Sequence, residues 1–182
     1  MNRTLFIYYA MPLLVLIAAL LQSTVAALIV IRGVKPDLVL ILVLTATLVY
    51  GGRSGIAWAF IGGIGLDLFS GGPMGASSLA LMAATAVASL GYRVLSRYNL
   101  WVPIGVSVVG TLLYGAVYVG ILTFLREAAQ LPVLAGLAIP VHQIPWWETL
   151  QNVIVPALFY NTTIVIFLAP LLNRVPEHQE GF

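Results

Sequence analysis

The sequence predicts an all-α integral membrane protein, and three observations carry that prediction. Of 182 residues, 61% are hydrophobic and only 8% are charged, against roughly 25% charged in an ordinary soluble domain. Mean hydropathy is +1.05. Apolar runs recur along the chain, each closed by Gly, Pro, Asn or charged residues, as turns require. The predicted architecture is one domain over residues 1–182, six transmembrane helices in a single bundle, with an interfacial segment between the fifth and sixth. The length leaves no room for a separate soluble catalytic module.

A helix rises about 1.5 Å per residue, so around 20 apolar residues cross a hydrocarbon core about 30 Å thick. The first run, Leu5 to Ile31, is longer than the roughly 7–15 residues of a signal h-region and reads as a retained anchor. The others are Leu38 to Tyr50, Gly55 to Phe69, Gly75 to Tyr92, Leu100 to Leu125 and Leu150 to Leu172. The third covers only about 22 Å, which puts Asp67 near its end, at the membrane edge or in a polar recess. The intervening turns are Arg32 to Asp37, Gly51 to Ser54, Ser70 to Pro73 and Arg93 to Asn99.

The eight Lys and Arg residues are scattered over these turns. A nucleic-acid surface needs them clustered on one face, so they read as topology determinants and no nucleic-acid partner is expected. With both termini cytoplasmic, Arg3, Arg53, Arg93, Arg97 and Arg174 lie inside, while Arg32, Lys35 and Arg126 lie outside. The positive-inside rule favours that orientation. It places the Asp37 and Asp67 turns and the segment from Arg126 to Glu148 on the outer face. That segment contains Pro132, Pro140 and Pro145, which stop it forming one helix. Trp146 and Trp147 suit headgroup depth, and the segment reads as an interfacial anchor or as a lid over a partner or substrate.

Small residues mark where helices touch. Ala76, Ala80, Ala84 and Ala88 form a four-residue stripe, and Gly51, Gly55, Ala59 and Gly63 form another. Such stripes let backbones approach closely in lipid, either inside the bundle or against another protein's helix. Ala19, Ser23 and Ala27 are a further candidate face. Gly105, Gly110, Gly115 and Gly120 have a period of five, which rotates around a helix. They predict a pliable helix and no single interface.

Catalytic constellations are missing from the sequence. There are no cysteines, so thiolate metal sites, cysteine nucleophiles and disulfides are excluded. His142 and His178 stand apart, outside any ligand spacing, and Ser77 and Ser78 have no nearby base. No phosphate-binding glycine motif occurs, so no enzyme activity, cofactor or metal is expected. Asp67 then needs another explanation, because a charge within a span costs about 2.5–3.5 kcal/mol on insertion scales. One explanation is an ion pair near Asp37, Arg32 and Lys35; another is closure of its own turn through the Ser70 to Gly72 amides. A third is proton or ion coupling, for which only Gln22, Asn152 and Asn161 are at hand.

The stretch from Lys35 to Arg93 resembles the MreD family of rod-shape-determining membrane proteins. The matching residues are Pro36-Asp37, Gly51, Gly55, Gly62 or Gly63, Asp67-Leu68, Ser70-Gly71 and Gly75, with Met74 where leucine is frequent. The resemblance implies a non-enzymatic scaffold of the cell-elongation complex in the bacterial cytoplasmic membrane. It implies binding to MreC through its transmembrane helix and outer region. Indirect partners would be RodA, the elongation transpeptidase and MreB, with membrane lipid around the bundle. The partner-binding candidates are Pro36, Asp37, Gly55, Gly63, Asp67, Gly71, Gly75, Ala76, Ala80, Ala84 and Ala88. The family's fold is also similar to the S-components of energy-coupling-factor vitamin transporters. That similarity implies an alternative, a substrate-binding subunit that would use an outer cavity and a stripe like Ala19-Ser23-Ala27.

Overall fold

A computed structural model describes residues 3–24, 34–94, 101–129 and 145–172. All the elements among them are helical: α1 (Arg3–Thr24), α2 (Leu38–Tyr50), α3 (Gly52–Ser70), α4 (Ala76–Val94), α5 (Trp101–Ala129), α6 (Trp146–Thr149) and α7 (Val155–Leu172). A π-helical turn, Leu150–Ile154, joins α6 to α7 without a break. Two rods, Trp101–Ala128 and Trp146–Pro170, are long and apolar enough to cross a membrane. His142, His178, Arg32, Ala27 and most of the predicted interfacial segment lie outside the described residues.

α2 lies at the centre. Every residue from Val39 to Val49 except Leu42 is buried, and the helix touches α1, α3, α4, α5 and α7. A helix apolar on all sides is a core helix, which explains why 13 residues suffice. Around it α1 packs on α3, α3 on α4, α4 on α5, and α5 on α7. Among the described residues, α1 and α7 do not form a packed pair that would close the ring.

The hairpins differ from the sequence prediction. Gly51 alone separates α2 from α3, with φ +88°, a conformation glycine adopts without steric cost. Gly52, Arg53 and Ser54 are already helical, so α3 has 19 residues and is about 28 Å long. It is therefore a longer helix than expected, and Asp67 lies almost a full turn inside its end.

Both small-residue series on α3 and α4 face inward. Ala76, Ala80, Ala84 and Ala88 are 2% exposed or less, and their side chains pack within the bundle. A Cβ on Gly63 would overlap the Ser78 backbone, and one on Gly55 would overlap Thr47. The α3 series therefore serves two neighbours, α4 and α2. Ala19 is fully buried beside Gly65 of α3, so it forms an α1–α3 contact and is not free for a partner. Two of the period-five glycines on α5 also sit at packing contacts, each with a different element. Gly110 faces Leu44 of α2, and a Cβ on Gly115 would lie 3.0 Å from Ile154 in the π-turn. Rotation around α5 gives these two glycines different neighbours and leaves Gly105 and Gly120 open.

Candidate functional site: a polar corner and its cavity

Asp67 is 2% exposed and each of its carboxylate oxygens accepts a backbone amide. Oδ2 accepts the Gly75 N–H at 2.7 Å and Oδ1 accepts the Ser77 N–H at 3.1 Å. A helix normally satisfies its first amides through the N-cap side chain. α4 begins after Gly75, which has no side chain and sits at φ +91°. Asp67 supplies the missing carboxylate from the end of α3, where the positive end of the α4 dipole favours negative charge. The expected bonds to the Ser70 to Gly72 amides are not those formed. Gly71 instead caps α3 in the left-handed region, φ +69°, donating its N–H to the Asp67 carbonyl.

The second carboxylate caps its own helix. Asp37 Oδ1 accepts the Leu40 N–H at 3.1 Å, and its backbone N–H donates to Asn161 Oδ1 of α7 at 2.9 Å. Asn161 Nδ2 in turn donates to Thr111 Oγ1 of α5 at 3.2 Å. From α1, Gln22 Oε1 accepts the Val39 N–H at 2.9 Å. The first turn of α2 is thereby tied to three other helices. Asp37 lies in the turn ahead of α2, where burial pushes its carboxyl up from the ordinary value. The Leu40 amide, the Gln22 side chain and the Lys35 charge each oppose that shift. Of the cations named for the predicted ion pair, Arg32 lies outside the described residues, and Lys35 Nζ donates to the Gln22 carbonyl at 3.3 Å.

Between these two turns lies a cavity of about 340 Å³. Asp37 lines it directly, while Asp67 stands behind the wall formed by Ser70 and Ser77. Thr111, Tyr114 and Tyr118 of α5 form one side, the two tyrosine rings stacked with centroids 6.0 Å apart. The π-turn and α7 form another through Val153, Ile154, Ala157 and Asn161. The structure brings Asp37 and Asp67 to the same end of the bundle, as expected, without joining them. Pro36 adjoins Asp37 there, and Gly71 and Gly75 complete the Asp67 turn. Gly55, Gly63 and the alanine stripe lie in helix contacts away from the cavity. Sequence reading missed the α5 residues, although their spacing of three and four places them on one face of an otherwise apolar helix.

The buried carboxylate has both oxygens on backbone amides, and no cluster of three or more potential metal-binding side chains occurs among the described residues. The fold and site define a helical membrane protein whose polar residues fasten helices together. A family model described as rod shape-determining protein MreD matches residues 2–174, and the chain belongs to that family, a structural family of membrane proteins. No curated protein and no solved structure matches the chain.

Proposed function

We propose that the chain is a six-span, single-domain scaffold subunit of the bacterial cell-elongation complex, with both termini cytoplasmic, and that it binds MreC. Membership of the MreD family over residues 2–174 carries this reading. The hydrogen bonds from the Gly75 and Ser77 amides to Asp67 support it, since they give this carboxylate a role in holding the α3–α4 turn. Association with RodA, the elongation transpeptidase and MreB would follow through MreC.

An apolar groove of about 310 Å³ between α4 and α5 suits a transmembrane helix of the partner. Ala88, Val102, Gly105 and Val109 line it, and a Cβ on Gly105 would meet nothing within 4 Å. Small residues at such a surface permit close backbone approach. The test is affinity purification from mild detergent with MreC co-expressed. Wild type should retain MreC, Gly105→Leu should lose most of it, and Gly120→Leu, also at an open position, should keep it. Retention unchanged in Gly105→Leu would remove the groove from the reading, and failure of wild type to retain MreC would remove the scaffold.

The cavity beside Asp37 favours the second reading, a subunit that captures a small ligand like a transporter S-component. Co-purification of an ATPase-bearing transporter module in place of MreC would select it.

A further inference from the structure

The cavity between α1 and α7 has a shape and chemistry of its own. Its lining runs from Thr111 to Val119 along α5, so it is a slot at least about 12 Å long at helical rise. Its walls at Val119, Val153, Ile154 and Ala157 are apolar. The polar groups at its Asp37 end are already paired, Asn161 with Thr111 and with the Asp37 amide. Near Asp37 stands Lys35, whose ammonium has three donors and gives one to the Gln22 carbonyl. The Asp37 carboxylate accepts the Leu40 amide and lies within reach of the Lys35 charge, while two of the three Lys35 donors stay open to a ligand.

We propose that this slot holds one acyl chain of a phosphate-headed membrane lipid, with the phosphate at the Lys35 ammonium. A volume of about 340 Å³ holds roughly eleven water-sized groups, which is room for a length of one chain and not for a whole phospholipid. The headgroup therefore stays outside, on the Lys35 side. Access is lateral. Val153 lines the slot yet is 48% exposed, so the wall reaches the outer surface of the bundle there, beside α1 and α7, which among the described residues form no packed pair. The same wall contains the π-helical turn Leu150–Ile154, a departure from α-geometry often found at functional sites. The inference goes beyond the scaffold reading and stands without it.

Native mass spectrometry of the full chain in mild detergent tests it with three probes: oleoyl-lysophosphatidylglycerol, glycerol 3-phosphate, and an alkyl glucoside of matching chain length. We expect one lysophospholipid per chain, no glycerol phosphate, and glucoside bound at least fivefold more weakly. Ala157→Phe, which fills the slot, should lower lysophospholipid binding about tenfold, and Lys35→Gln should erase the preference over glucoside. Glycerol phosphate binding without a chain, or glucoside binding as well as lysophospholipid, overturns the proposal. So does undiminished binding in a folded Ala157→Phe chain. If that variant does not fold, the probe series on the unaltered chain decides.

Discussion

Asp67 and Asp37 are the residues on which the corner depends, and they act through different physics. Removing the Asp67 carboxylate leaves the buried Ser77 amide and the part-buried Gly75 amide without acceptors, a cost of roughly 1–3 kcal/mol, most of it at Ser77. Asp67→Ala is therefore expected to lower the thermal unfolding midpoint in detergent markedly. Asp67→Asn, which keeps one acceptor oxygen, should lie between that variant and wild type. For Asp37, burial raises the carboxyl above its ordinary value of 3.8, so folding favours the protonated form. The resulting stability is present below that value and is lost as pH rises through the raised one. Asp37→Asn retains a capping oxygen and cannot ionise. It should flatten the decline in unfolding midpoint from acid towards neutral pH, as thermal scans across that range would record. The presence of an important carboxylate at Asp67 was legible in the sequence, because a charge among apolar residues stands out. Its partners were not, because they are backbone amides eight and ten residues away, and an amide has no sequence signature.

At the scale of helices, contact geometry decides which small residues matter. Gly63 lies against the Ser78 backbone of α4, so Gly63→Ala forces two backbones apart, and overpacking of that kind costs about 1–3 kcal/mol. Gly105→Ala meets nothing and should be neutral or stabilising by up to about 1 kcal/mol, since alanine is the better helix former. Unfolding midpoints of the two variants, measured side by side, test this contrast. Asn161→Leu removes the acceptor of the Asp37 amide and the donor to Thr111. We expect a loss of roughly 1–2 kcal/mol, read as faster hydrogen exchange at the start of α2. The alanine stripe was legible as a contact surface, because its period matches one helix face. Which helix it met was not, since inside and outside are both apolar in a membrane protein. The period-five glycines were read as non-interfacial for a related reason: spacing reports one face, whereas α5 has different neighbours along its length.

For the whole molecule, the proposed topology places the Gly51 hairpin and the Gly71–Gly75 turn on opposite sides of the membrane. The chain has no cysteine, so single substitutions report cleanly. With the N-terminus cytoplasmic, Pro73→Cys should react with a membrane-impermeant maleimide added outside intact cells. Ser54→Cys should react only after the membrane is opened, and the reverse pattern would invert the bundle. The sequence by itself determined the class of protein and the positions of most helix breaks, because these follow from composition and punctuation. Its order and spacing of glycines, prolines and aspartates also carried the family. Only the tertiary structure decided that α2 is the core, that Asp67 caps a helix other than its own, and that a cavity opens beside Asp37. Each of these depends on groups distant in sequence being brought within bonding or packing range, where backbone amides and helix faces meet.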